Sequence, residues 1–349
     1  MRRELFLIVI SSFFLYTPVV NALEVAAYIA NSTSDTVTVL DTSTNIVDAT
    51  VTVGTAPEGV AVSPDGTDVY VANTGSGTVS VIDTDTNTIE ATVAVGTAPI
   101  GVAVSPDNTK VYVTNSGSDS VTVIDALTDT VTTTVKVGST PEGVVVSPDG
   151  TEVFVVDEGS SNVTVIDTKT NAIEATVAVG TAPIGVAVSP DGTEVFVTNS
   201  GSNTVSVIDT KTDIVTATVQ VGTTPEGVAV SPDGKKVYVA NNGSDNVSEI
   251  DTKTNTVTAT DPVDKAPVGV SLTPDGRKVY VANKGSDDIS EIDTATGKIT
   301  EIKSTGHGPN DLGNFIGTIP GHVGGGGGCS LIPASSEVLH QNPNKYSLF

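Results

Sequence analysis

The feature that most constrains this chain is a fixed spacing. The tripeptide Pro-Asp-Gly, or a near match, starts at Pro64, Pro106, Pro148, Pro190, Pro232 and Pro274, each 42 residues after the last, with Asn108 as the single departure. A period in this range requires stacked supersecondary units, none of which can bury its apolar face alone. A second marker, aromatic-Val-x-Asn, falls at Tyr28–Asn31, Tyr70–Asn73, Tyr112–Asn115, Phe154–Asp157, Phe196–Asn199, Tyr238–Asn241 and Tyr280–Asn283, with Asp closing the fourth copy. A third, resembling VSVIDT, begins at Val37, Val79, Val121, Val163, Val205, Val247 and Ile289. Both markers count seven units.

Each unit holds four short runs of strand length, as in GVAVS, DVYVAN, TVSVID and TIEATVAV, and no stretch has the period of a helix. Four strands joined by tight turns make a meander. The turn chemistry agrees with it. The fifth residue of the Asp-Thr-x-Thr-x segment is Asn45, Asn87, Asp129, Asn171, Asp213, Asn255 or Gly297, the residue types that best tolerate a left-handed backbone. The same role is expected of Gly66, Asn108, Gly150, Gly192, Gly234 and Gly276 after Pro-Asp. The predicted fold is therefore all-β, a seven-bladed β-propeller of 42-residue, four-stranded blades. The small residues of Gly-Val-Ala-Val suit the crowded strand at the axis. The first unit lacks that strand, and Pro309–Gly317 (PNDLGNFIG) is a degenerate copy in register to supply it, pairing with the Tyr28 strand to close the ring. Closure removes exposed strand edges.

Residues 25–317 resemble the YVTN-repeat β-propellers, through VYVTN at 111–115, FVTN at 196–199 and the VSVIDT and PxGVAVSPDG runs. The resemblance implies a propeller like those of archaeal and bacterial surface-layer and surface-antigen proteins, most of them without an established activity. Together with near-identical blades, it leads to the expectation of an exported, non-enzymatic binding, interaction or structural module at the surface, with an unknown surface protein or glycan as partner. The alternative expectation is a metal-dependent lactonase-like or lyase-like propeller enzyme with an acidic axial site.

Charge and composition narrow the chemistry. A net charge of -25 is opposite to what a phosphate backbone recruits, so nucleic acid is not an expected partner. With no Trp and 4% aromatic residues, a stacking platform is poorly supplied. The single cysteine, Cys329, rules out an intrachain disulfide and a Cys-x-x-Cys-His haem attachment; no cofactor is required by the sequence. His307, His322 and His340 sit in the last unit or beyond it and form no recognisable triad or zinc pattern. Asp83-Thr84-Asp85-Thr86-Asn87 looks like the start of a calcium loop but lacks its glycine and distal glutamate, so it reads as a hairpin.

One pattern points to an axial site. Between Pro and Gly at the start of the innermost strand stand Glu58, Ile100, Glu142, Ile184, Glu226, Val268 and Asn310. Glutamate in every second unit should converge near one mouth of the channel, where Glu58, Glu142 and Glu226 could hold a hard cation such as Ca2+. Inheritance from a two-unit duplication explains the alternation as well, since residues 88–106 and 172–190 are nearly identical. In unit four, Asp157-Glu158 departs from the other copies and reads as surface charge.

Residues 1–22 have a basic start, an apolar run and small residues at the end, the pattern of an export signal peptide. Residues 23–317 form the propeller and 318–349 a Gly-rich flexible C-terminal tail carrying Cys329. The expected location is therefore the periplasm, cell surface or medium. No later segment is long and apolar enough to span a bilayer, so the chain is not expected to be an integral membrane protein. Most basic residues follow residue 234, which leaves one side of the disc more acidic. A monomeric propeller is expected, with lateral assembly as a further possibility. Sequons at Asn31, Asn162, Asn242 and Asn246 could accept glycans.

Overall fold

The computed structural model describes residues 24–303, 306–311 and 313–319; the expected signal segment, Cys329 and nearly all of the tail lie outside the described residues. Seven four-stranded antiparallel sheets follow one another around an axis. Blade 2 shows the pattern, with strands Pro57–Val62, Asp68–Asn73, Thr78–Asp83 and Thr88–Ala94 running outward in order. The innermost strands of successive blades pack on one another. The second strand has neighbours on both faces, and Val69, Tyr70, Val71, Ala72 and Asn73 are all buried. The fourth is mostly exposed, which explains why its sequence is rich in Thr and Glu. Apolar content thus falls from the inner half of the blade to the rim, as a stack of sheets facing water on one edge requires.

The repeated residues have specific structural duties. The closing Asn of aromatic-Val-x-Asn is buried and donates through Nδ2 to hydroxyls on the third strand: Asn73 reaches Thr78 Oγ1 (3.1 Å) and Ser80 Oγ (2.9 Å). The turn residues adopt the left-handed backbone their types suggested, from Asn45 (φ 59°) to Gly297 (φ 67°), and the outer hairpin carries a bulge between Val81 and Ile82.

Blade 1 takes its innermost strand from the far end of the chain. Ile316–Ile319 pairs antiparallel with Glu24–Ala27, and Pro309 bridges Asn31, so the ring closes as expected with its regular part extending two residues past Gly317. Phe315 is fully buried beneath this seam, and its carbonyl accepts the N–H of Tyr28 at 2.8 Å. On the other side of blade 1, the Tyr280 hydroxyl donates to Asn45 Oδ1 (2.8 Å), and Asn45 Nδ2 donates to Glu291 Oε2 (2.6 Å). Lys278 pairs with the same carboxylate at 3.0 Å. The first and last blades are therefore joined by a polar network as well as by a strand.

Candidate functional site

Each innermost strand begins at a strained, irregular place. The residue before its proline has positive φ in all seven blades, including the β-branched Thr140 (φ 51°) and Thr224 (φ 49°), where such a backbone is uncommon. Directly after the proline the ladder slips: Pro57 opposes Asn73 but Val60 opposes Val71, which places Glu58 and Gly59 on a bulge. The same slip occurs at Glu142 and Glu226. A bulge re-aims the side chain it carries, and here the strand would otherwise alternate its residues between two packed faces.

Glu58, Glu142 and Glu226 are half-buried at the mouth where these strands start. Burial pushes the Glu142 carboxyl up to about 8, and Glu158, Glu58 and Glu226 add to the rise by repulsion. Glu226 is pushed up to about 7 by burial, against the pull of the Lys284 ammonium and with repulsion from Glu58. Burial also raises Glu58, while Lys284 draws it back. The three glutamates of alternate blades thus share one electrostatic site, which Glu158, read from the sequence as surface charge, and Lys284, not singled out there, help to define. Glu158 and Lys284 occupy the same place in blades 4 and 7, directly after the aromatic-Val-x-Asn/Asp run. One side of the mouth is doubly acidic and another carries a cation.

Two glutamates are held by a device that the sequence also carries. Thr114 accepts the Gly101 N–H (2.7 Å) and donates to the Glu142 carbonyl (2.6 Å). Thr198 does the same between Gly185 (2.8 Å) and Glu226 (2.5 Å). These are the threonines of the two Val-Thr-Asn copies; Ala30 stands at that place in the blade before Glu58. The glycines are required here by approach rather than by φ, since a Cβ on Gly101 or Gly185 would overlap the neighbouring glutamate carbonyl. Thr114→Val leaves two buried backbone groups unpaired and should lower stability by about 1–3 kcal/mol in a urea titration, with Thr114→Ser restoring most of it.

Asp157 stands where other blades have Asn. It is fully buried, accepts the Thr164 hydroxyl at 2.6 Å, and burial lifts its carboxyl to about 6. It belongs to the blade interior. Among the described residues, the one set of three carboxylates with oxygens within 4.8 Å of one another is Asp264, Asp288 and Glu301 in and beside blade 7, not the axial glutamates. Calcium takes six to eight oxygens at 2.3–2.6 Å. The axial trio shares its mouth with the Lys284 side chain. His307 lies at the blade 1 seam, its Nδ1 2.9 Å from Asp287 Oδ2. None of the described helices is long and apolar enough to cross a membrane.

Solved structures with this architecture include a chain of hydrazine synthase from Kuenenia stuttgartiensis, at 29% identity and TM-score 0.64 over 68% of this chain and 76% of that one. A functionally unknown protein from Desulfotomaculum acetoxidans matches at 17% identity and TM-score 0.73, over 85% and 99%. A putative 6-phosphogluconolactonase from Bacteroides fragilis matches at 20% identity and TM-score 0.72, over 87% and 100%. No curated protein sequence matches the chain significantly. The family model described as Lactonase, 7-bladed beta-propeller matches residues 101–269 and 186–312. This corrects the expectation of a non-enzymatic surface module: the family match and the lactonase-named neighbour favour the enzymatic alternative, and the surface-layer resemblance gains no support. Repetition concealed it, because near-identical blades suggested that no blade carries a distinct role, whereas Glu158 and Lys284 break the symmetry at the mouth. Matched over more than half its length, the chain belongs to the lactonase family of seven-bladed β-propellers.

Proposed function

We propose that the protein hydrolyses lactones at the mouth formed by Glu58, Glu142 and Glu226. The observation that carries this reading is the coupled pair Glu142 and Glu226, whose carboxyls titrate at about 8 and about 7 in a half-buried axial site. Carboxyls poised near neutral pH serve as general acid and base in the same reaction. Glu226, which ionises first, takes a proton from water as its oxygen attacks the lactone carbonyl carbon. Glu142, still protonated, gives its proton to the ring oxygen as the acyl–oxygen bond breaks. The products are a carboxylate and an alcohol on one open chain. The Lys284 ammonium supplies positive charge for the oxyanion of the tetrahedral intermediate.

The phosphorylated lactone in the name of the Bacteroides neighbour is a poor match to this mouth. Arginine, the residue best shaped for phosphate, occurs at Arg2, Arg3 and Arg277, and Arg277 is exposed beside Asp275 in a Pro-Asp-Gly-type loop at the opposite end. An uncharged lactone suits it better. The proposed reaction needs no metal; Ca2+ at the three glutamates remains a separate proposal, read by whether added calcium or a chelator changes the rate. Export through residues 1–22 is carried into this reading from the sequence alone.

The test is a pH-stat assay with γ-butyrolactone, δ-gluconolactone and 6-phosphogluconolactone. Hydrolysis of the uncharged lactones that is lost in Glu142→Gln supports the assignment. Failure to open any lactone above the uncatalysed rate overturns it.

A further inference from the structure

A cavity of about 510 Å³ lies along the axis and opens at the other end, between the prolines Pro64, Pro232 and Pro274. Its size falls within the range of small-molecule sites. The wall is built by the Val and Ala residues of the innermost strands, among them Val102, Val144, Val186 and Val228, and no Lys, Arg or His lines it.

The polar end is made by one blade. In blades 2 to 6 the innermost strand runs from its proline to the residue opposite the start of the second strand in the span of Pro57 to Val62. Blade 1 uses Pro309 to Ile316 between the equivalent partners, Asn31 and Ala27, which is two residues longer. The extra length brings Asp311, Gly313 and Asn314 to the axial cavity: a Cβ on Gly313 would meet the Val60 carbonyl of blade 2, with the Val102 carbonyl of blade 3 next nearest. Asn314 is exposed to the cavity, and its Oδ1 accepts the Ser271 hydroxyl at 3.0 Å. Asp311 is 1% exposed and lines the cavity; its Oδ1 accepts the Ala30 N–H at 2.7 Å, and its Oδ2 is buried without a hydrogen-bond partner. Burial raises the Asp311 carboxyl well above the usual carboxylate range, against the pull of the Ala30 N–H. With its Oδ1 taken by Ser271, Asn314 offers its Nδ2 as the donor on the cavity wall.

We propose that this cavity is a binding site for a small uncharged molecule with an apolar body and one carbonyl oxygen, its apolar part along the valine wall and its carbonyl accepting from Asn314 Nδ2. The cavity runs from just inside the glutamate mouth, at Gly143, Gly185 and Gly227, to the proline end, and the proposal does not depend on lactone hydrolysis. Either an anion or a cation would be stripped of water against valine walls that offer no counter-charge.

The experiment is a methyl NMR titration of the full-length protein with 2-nonanone, a ketone that cannot be hydrolysed, alongside 2-heptanone, nonanoate and nonylammonium. The expected result is saturable shifts of the axial valine methyls, with 2-nonanone binding about tenfold tighter than 2-heptanone, since each methylene is worth a factor of about three to four. Both ions should bind at least tenfold more weakly. Asn314→Ala should lose about tenfold, whereas Asp311→Asn, which changes a group almost wholly sealed from the cavity, should retain affinity within about threefold. Should Asn314→Ala not fold, Val228→Phe gives the same reading by filling the cavity. Absence of valine shifts, affinity independent of chain length, equal binding of nonanoate, or unaltered binding in Val228→Phe each overturns the proposal.

Discussion

Glu142→Gln lowers kcat/KM for an uncharged lactone by about 10²–10⁴-fold, the usual contribution of a positioned acid or base. Glutamine keeps the shape but cannot release a proton to the leaving oxygen, so the loss appears in kcat more than in KM. In the native protein the proposed hydrolysis should rise through about pH 7 as Glu226 ionises and fall through about pH 8 as Glu142 loses its proton. The limbs belong to the coupled cluster, which includes Glu58 and Glu158, so a change at one carboxyl displaces both limbs. A rate independent of pH between 5 and 9, or a Glu142→Gln enzyme of native activity, refutes the assignment.

Stability carries the opposite signature. A carboxyl whose proton affinity is raised by folding stabilises the native state below its unfolded value near 4.5, and that contribution is lost as pH rises through the folded value. The native protein should therefore lose up to a few kcal/mol between about pH 5 and pH 9 from this mouth. Thermal melts of the triple variant Glu58→Gln, Glu142→Gln and Glu226→Gln should match the native protein near pH 4 and exceed it near pH 9. A variant that is less active yet more stable at high pH separates a catalytic role from a structural one. Equal melting points at both pH values would show that the glutamates are not desolvated.

Phe315→Ala is the substitution with the largest expected effect on folding, about 3–5 kcal/mol by guanidinium titration. The side chain is fully buried in one cluster with Tyr28, Ile29, Val60, Val71 and Tyr280, so its removal empties space shared by the first, second and last blades. Its neighbours cannot close that space, because Tyr28 and Ile316 are held by backbone pairing across the seam. Total stability in domains is about 5–15 kcal/mol, so this loss is a large fraction of it. The equivalent residue in blade 2 is Ala61, facing Tyr70 from the same register position. Ala61→Gly should cost roughly 1 kcal/mol. If the Phe315 change cost no more than that, the closing strand would not be the keystone of the ring.

The repeat period, the seven blades, the strand order within each blade and the left-handed turns were all legible in the sequence, because each rests on interactions within about forty residues. So was the alternation of glutamates, and the local signs that accompany it: Val-Thr-Asn in the blades before Glu142 and Glu226, and the departures at Glu158 and Lys284. The meaning of those signs was not legible. Whether a carboxyl titrates near 4 or near 8 depends on how deeply seven strands bury it and on which charges three blades bring to one mouth, and both are set only when the ring closes. The axial cavity belongs to the tertiary structure for the same reason. Two extra residues between Pro309 and Ile316 look like decay of a repeat when read along the chain; around the axis they place Asp311 and Asn314 in a valine-lined space that no single blade encloses.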